Sequence, residues 1–311
     1  MAVYRALGTG MVISADSPID DKVRSAMESL IEDYEHVLSR FRNDSLIAAI
    51  GKAEHGGSFD FPDWCAPLFD LYDALFSATS GAIDPCIGED LIRLGYDASL
   101  SFTVTQDAPE HLGALRGRAV WGRDVTRHGT TLVTHEPVQL DFGACGKGYL
   151  VDLLGRMLQS SQFVIDAGGD LLIHAEQPIS VALEDPEDQS HAIGIAHIAN
   201  GALCASAPSR RHWNVAVNER TQIAIHHLLN AIDGLPAQQT EASWAYIPAN
   251  ATLNLARDYP TAVADGLATA LFVSDVAHLQ RTFDFTYATL DESRQIAVSR
   301  NFPAELFLRS A

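Results

Sequence analysis

Leu140-Asp-Phe-Gly-Ala-Cys-Gly-Lys-Gly-Tyr149 is the stretch on which the reading of this 311-residue chain turns. It is glycine-rich, and Val151, Leu154 and Leu158 follow at helical spacing, so it reads as a loop opening a helix over 149–159. Such a loop lets backbone N–H groups approach a phosphate closely, and Lys147 could add a charge. A P-loop is excluded on two counts. That pattern needs glycine where the chain has Asp141, and Ser or Thr where it has Gly148. A kinase reading of Asp141-Phe-Gly143 also fails, because no other kinase element accompanies it. A helix start whose glycines serve tight packing explains the same residues, and both readings stand at this point.

Working outward, residues 3–15 read as one strand, and Ser17-Pro18 opens an amphipathic helix to about 39. A second helix is expected over 63–79, ended by Gly81. Short strands are expected over 118–140, then at 163–166, 171–174, 179–183, 191–198 and 202–207. A small-residue helix over 264–279 precedes a hairpin near 284–298 turning at Asp291-Glu-Ser-Arg. Strands and helices mix without regular βαβ alternation, which predicts an α+β fold, mostly antiparallel with packed helices. No repeat and no linker is visible, so residues 1–311 are treated as one domain.

The net charge of −19 repels nucleic acid and anionic lipid, so partners of those kinds are not expected. It also repels a dinucleotide phosphate, which would need a local cation such as a bound metal. Cys65, Cys86, Cys145 and Cys204 form no CxxC pair and read as single buried thiols of a reducing compartment. Arg5, Gly8, Thr9 and Gly10 interrupt any signal-like apolar run, and no stretch of about 20 apolar residues occurs. A cytoplasmic protein without a membrane partner is expected.

Four further segments carry possible chemistry. Asp265-Gly-Leu-Ala-Thr269 places a carboxylate and a hydroxyl on one helix face, hard oxygens suited to Mg²⁺. From spacing alone, a helix-start carboxylate with a back-bonded threonine is the better explanation. Asp84 in Ser80-Gly-Ala-Ile-Asp-Pro85 could bond a sugar hydroxyl or a ring N–H, or simply shape a turn. Phe163-Val-Ile-Asp-Ala-Gly-Gly-Asp170 reads as a tight bend. His226-His227 lie side by side, and no HExxH or CxxC pattern supports a zinc site.

In their order these segments resemble the FAD:protein FMN transferases of the ApbE type. Leu7-Gly-Thr9, Leu38-Ser-Arg-Phe-Arg-Asn-Asp-Ser45, Gly81-Ala-Ile-Asp-Pro-Cys-Ile-Gly88 with Leu94-Gly-Tyr96, Leu140–Tyr149, Ile165–Asp170 and Ala264–Ala270 carry the likeness. The resemblance implies a metal site made by the Ala144 carbonyl with Asp265 and Thr269. It implies FAD contacts at Leu7, Phe41, Ala82, Ile83, Asp84, Asp141, Lys147 and Leu229. His227 matches the family's His-x-Ile-Asp-Pro motif and is implied as general base or flavin contact, with Asp170 or Asp265 as substitute bases. The chain departs from the pattern at Asn230-Ala231, Asp233-Gly234, Ser206-Ala-Pro208 and Gly51.

The activity implied is Mg²⁺-dependent transfer of the FMN half of FAD to a threonine hydroxyl of an acceptor flavoprotein, with AMP leaving. FAD is thus substrate and Mg²⁺ the cofactor. Hydrolysis of FAD to FMN and AMP would use the same residues. FAD binding without turnover is the other alternative, and the altered motif after His227 favours it.

Overall fold

The computed structural model describes residues 2–218 and 221–307. In chain order the elements begin with β1 (Ala2–Ala6), β2 (Thr9–Ala15), α1 (Asp21–Leu38), α2 (Leu46–Lys52), β3 (Gly57–Asp60) and α3 (Ala66–Ala78). Next come α4 (Gly88–Arg93), α5 (Ala108–His111), β4 (Val125–His128), β5 (Thr131–Thr134), α6 (Gly146–Gly155) and β6 (Phe163–Asp166). Then follow β7 (Asp170–Glu184), β8 (Ala192–Ser206), β9 (His212–Asn218), β10 (Thr221–His226), β11 (Leu229–Asn230) and β12 (Leu235–Pro236). The chain continues through β13 (Thr240–Pro248), α7 (Asn254–Asp258), α8 (Pro260–Ala270), α9 (Val276–Leu279), β14 (Thr286–Asp291), β15 (Ile296–Val298) and β16 (Ala304–Leu306). The fold is α+β. Among the described residues every paired strand runs antiparallel, and one isolated bridge, Trp121 to Val125, is parallel.

The chain divides into two compact units, each gathered from separate segments. The first takes residues 1–32, 143–207 and 238–311. The second takes 33–142 and 208–237. The chain passes between the units four times, so no single stretch of sequence marks a boundary.

The first unit is built on a sheet ordered β1-β2-β6-β7-β8-β13-β14-β15, with β16 added on β8. Ile173, Leu183, Ile198, Leu203, Trp244, Leu290 and Ile296 are among the buried residues of its core. The single strand expected over 3–15 is a hairpin. Leu7 and Gly8 form its two-residue turn, with φ of 51° and 72°. Positive φ at both positions is the type I′ pattern, which glycine and asparagine suit and leucine does not. The four short strands expected between 171 and 207 merge into β7 and β8. Pro178 lies within β7 and Gly201 within β8. The register shifts between His174 and Ile179, a bulge that lets β7 pass Pro178, and Gly201 takes φ 136° within β8.

Helix α8 runs through this unit with Ala262, Val263, Ala264, Leu267 and Ala268 fully buried. The helix expected over 264–279 breaks after Ala270, because the Asp275 carboxylate accepts from Ala277 N at 2.8 Å and starts α9 afresh. Helix α6 begins at Gly146, earlier than the periodicity suggested, and lies against α8. A Cβ on Gly148 would fall 2.3 Å from the Thr261 carbonyl oxygen, so that glycine permits the approach. Gly148→Ala should therefore cost about 1–3 kcal/mol, since backbone cannot yield as a side-chain tip can. An unchanged midpoint in thermal unfolding would show that the helices can part freely.

The second unit holds α2 to α5, the β3-β5-β4 sheet and the β9–β10 and β11–β12 hairpins. Leu91, Leu94, Tyr96, Leu112, Trp213, Ile225 and Leu229 share one core cluster there. Phe69, Tyr72, Trp121 and Phe142 pack as a group of rings with centroids 5.2–6.4 Å apart. Helix α3 ends on Ser80 and Gly81, both with positive φ, and Gly81 N donates to Phe76 O at 2.8 Å. This left-handed stop delivers the buried Ala82-Ile83-Asp84 segment. All four cysteines are buried free thiols. No described helix is long and apolar enough to cross a membrane.

Candidate functional site

In the first unit the start of α6 meets the middle of α8, bringing together two motifs more than a hundred residues apart. Gly148 N donates to Asp265 Oδ2 at 3.0 Å. Lys147 Nζ donates to Asp170 Oδ2 at 2.6 Å and to Asp265 Oδ1 and Oδ2 at 3.1 and 3.3 Å. One turn along α8 from Asp265, Thr269 Oγ1 donates to the Ala144 carbonyl at 3.3 Å. The Ser206 hydroxyl lies 3.5 Å from Thr269 Oγ1. The resemblance implies Lys147 near a ligand, and in the fold it lies between Asp170 and Asp265.

The electrostatics follow from burial. Asp265 and Asp170 are each 1% exposed. Burial pushes the Asp265 carboxyl up to about 7, the nearby Asp170 charge adds to the rise, and Lys147 opposes it. Asp170 is raised by burial against the same lysine. Burial alone would lower Lys147, but Asp170 and Asp265 together outweigh it and hold the ammonium charged. Asp170 Oδ1 is buried without a hydrogen bond of ordinary geometry, while the Cys204 thiol opposite it in register donates to the Thr261 carbonyl at 3.5 Å and also favours the ionised Asp170.

Helix α8 is fixed by a residue that its own sequence does not announce. Asp152 of α6 accepts from Thr261 N at 3.1 Å and from Ala262 N at 2.8 Å, capping α8 from outside. The periodicity of Val151, Leu154 and Leu158 gave Asp152 no place in the core, so nothing in the sequence singled it out.

Asp265, Thr269 and the Ala144 carbonyl are hard oxygen donors of the kind Mg²⁺ accepts while keeping places for water and phosphate. Among the described residues no three His, Cys, Asp or Glu side chains gather to hold a metal. A cation here would rest on one carboxylate and neutral oxygens. The orphaned Asp170 oxygen and the ammonium already drawn between two acids show that the cluster favours positive charge. Leu7 lies half-buried in the same unit, at the strained hairpin turn.

The remaining expected residues lie in the second unit. Phe41 is 40% exposed and meets Tyr96 edge-on at 5.4 Å. The Arg40 guanidinium lies 4.2 Å from the Phe41 ring centroid and ion-pairs with Asp141. Ala82, Ile83 and Leu229 are buried. Asp84 is committed to its surroundings: Oδ1 accepts from Cys86 N at 2.8 Å, both oxygens lie 3.3 Å from Trp121 N, and Oδ2 lies 3.5 Å from Arg118 Nη1. Any part it takes in ligand binding runs through the backbone it fixes. Arg118 and Asp90, which no motif singled out, complete that buried network. Their Nε and Oδ2 lie 2.8 Å apart, out of hydrogen-bond alignment, so the contact is an ion pair.

The Arg211 carbonyl lies 3.2 Å from His227 Nδ1, so Nδ1 carries the proton of the neutral ring and Nε2 the lone pair. His226 faces elsewhere, with Nε2 donating to the Ala237 carbonyl at 2.8 Å. A cavity of about 240 Å³ in this unit is lined in part by Arg40, Asn43, Lys52, Asp97 and Gln139. At its wall Gln139 covers Gly51, where an added Cβ would come 2.5 Å from Gln139 Oε1. Gln139 is a flexible side chain that could move aside, so this contact does not by itself explain glycine where the family pattern has asparagine.

The site is thus a buried acid–ammonium cluster at a glycine-rich helix start within an α+β fold. The chain belongs to the ApbE family, whose profile matches residues 7–289. The FAD:protein FMN transferase of Klebsiella pneumoniae (strain 342) is 23% identical over 274 residues, covering 84% of this chain and 74% of that protein. The protein of the same name from Treponema pallidum (strain Nichols) is 27% identical over 286 residues, covering 81% and 72%. Among solved structures, the ApbE protein of Thermotoga maritima MSB8 superposes with a TM-score of 0.79 at 19% identity, covering 98% of this chain and 99% of its own. The flavin transferase ApbE of Vibrio cholerae gives a TM-score of 0.75 at 17% identity, covering 97% of each chain. At those identities the two structures establish the fold.

Proposed function

We propose that this chain is an Mg²⁺-dependent FAD:protein FMN transferase, moving FMN from FAD to a threonine hydroxyl of an acceptor flavoprotein and releasing AMP. The observation that carries this reading is the convergence of Asp265, Thr269 and the Ala144 carbonyl beside Lys147 and the glycine-rich start of α6. The family membership and the names of the relatives supply the reaction class.

Asp265, Thr269 and the Ala144 carbonyl would hold Mg²⁺, which when bound neutralises charge on a pyrophosphate. Lys147 offers an ammonium that Asp170 and Asp265 favour against the effect of burial, so it can bond a phosphate oxygen. Leu7, Phe41, Ala82, Ile83, Asp84, Asp141 and Leu229 are the proposed flavin-side residues. In that set Arg40 balances the Asp141 charge, and Phe41 offers an exposed ring face. A threonine hydroxyl is a poor nucleophile and needs a base to take its proton. His227 Nε2 is suited to that step, because the bond at Nδ1 fixes the tautomer. The protein would work in the cytoplasm.

Incubation with FAD, Mg²⁺ and an acceptor should release AMP and add one FMN mass to an acceptor threonine. AMP without that mass gain would mean hydrolysis, and bound FAD without AMP would mean a binder. His227→Ala should slow transfer by roughly 10²–10⁴-fold with FAD binding retained, the usual worth of a positioned base. Undiminished transfer in that variant would remove His227 from the mechanism.

A further inference from the structure

We propose that Lys147 is a resident cation that must give up Asp265 before a divalent metal can bind, and that Asp170 receives it. The inference rests on the reading of Asp265 and Thr269 as metal ligands and adds an exchange to it. Both Asp265 oxygens are already spent: Oδ1 on Lys147, Oδ2 on Lys147 and Gly148 N. A metal that bound Asp265 with the lysine in place would put two cations on one buried carboxylate, and their repulsion in a low-dielectric site is large.

The geometry provides a destination. Lys147 bonds only Oδ2 of Asp170, at 2.6 Å, while Oδ1 is buried and unpartnered. Moving off Asp265, the ammonium keeps the Asp170 Oδ2 bond and gains Oδ1. The lysine side chain is 30% exposed, so it has room to swing. The charge count fits as well. Two carboxylates and one ammonium leave −1 at rest, and a divalent ion on Asp265 reverses that to +1. The start of α6 would then present positive charge only when metal is bound. Asp170 is accordingly a positioning residue for Lys147, and ligand phosphate and metal are admitted together.

A thermodynamic cycle on the full chain tests the exchange, with Mg²⁺ alone as probe, FAD absent, and affinity read by calorimetry. Lys147→Met should bind Mg²⁺ at least about tenfold more tightly than wild type. Asp170→Asn should weaken binding in the presence of Lys147, and should do so at least about tenfold less in the Lys147→Met background. A coupling of that size is expected of contacting groups whose effects depend on each other. Simple charge attraction predicts that the two changes add, and additivity within about twofold would overturn the proposal. Should Lys147→Met fail to fold, Lys147→Arg keeps the charge while bridging both acids more firmly. It should weaken Mg²⁺ binding about tenfold, and unchanged affinity would refute the exchange. The metal reading has its own control: wild type that binds no Mg²⁺, or Asp265→Asn that binds it undiminished, overturns that reading and the exchange with it.

Discussion

Asp265→Ala is expected to lower Mg²⁺-dependent FMN transfer by about 10³-fold or more while leaving a folded protein. The activity loss follows from removing the only charged group among the three proposed ligands. Metal stabilisation of phosphoryl charge is worth several kcal/mol, and each 1.36 kcal/mol is tenfold in rate. The fold should survive because of the charge count in the cluster. Asp170 and Lys147 remain as a one-to-one pair at 2.6 Å, so no buried ion is left without a counterion. Gly148 N loses its acceptor, a penalty of about 1–3 kcal/mol. Steady-state AMP release across a Mg²⁺ titration, with circular dichroism as the check on folding, decides the matter. Full turnover in the variant at saturating Mg²⁺ would end the metal assignment.

Arg118→Met should be the most destabilising substitution in the second unit. Arg118 is fully buried, paired with Asp90 at 2.8 Å and Asp84 at 3.5 Å, and donates to the Ala231 carbonyl at 2.7 Å. Its loss strands two buried carboxylates, and breaking a buried pair from one side costs about 3–5 kcal/mol. For a chain of this size that is a fall of roughly 6–20 °C in the unfolding midpoint. Since Arg118 also ties Ala231 to the segment carrying Ala82 and Ile83, weaker FAD binding should accompany it.

The loss should depend on pH in a set direction. In the wild type, burial lifts Asp90 from 3.8 to about 6 even though Arg118 opposes the rise. A carboxyl with a raised folded value binds its proton more tightly folded than unfolded. Its favourable contribution is complete below pH 3.8 and drains away as pH climbs through about 6. Without Arg118 both acids rise further. The variant's deficit should therefore be largest above neutrality and shrink towards pH 4. A deficit that stays level from about pH 5 to pH 8, followed by thermal unfolding, would show that the two carboxyls do not control it.

How much of this was legible beforehand varies from element to element. Helix α3 and the β14–β15 hairpin stand close to where apolar periodicity and turn residues put them, because both signals are local. Strands β7 and β8 were read as fragments, whereas pairing carries β7 past Pro178 through a register shift and β8 through Gly201 at φ 136°. The gathering of separate segments into two compact units is set by contacts between distant residues, which linear patterns do not carry. At the site, Lys147, Asp265 and Thr269 stood out in the sequence. Asp152 and Arg118 did not, because an isolated ionisable residue shows its purpose only when its partners from distant segments are beside it.

By itself the sequence determined the α+β class, the family and the residue types able to grip a cation. These depend on local spacing, side-chain chemistry and the order of motifs, all of which are linear properties. Only the tertiary structure decided that Lys147 bridges Asp170 and Asp265, that Asp84 is spent on its own neighbours, and that Gly148 is glycine for the sake of α8. Each of those depends on distance and burial between segments far apart in the chain. Desolvation and Coulomb attraction act through space, so their outcome appears only after the chain has folded.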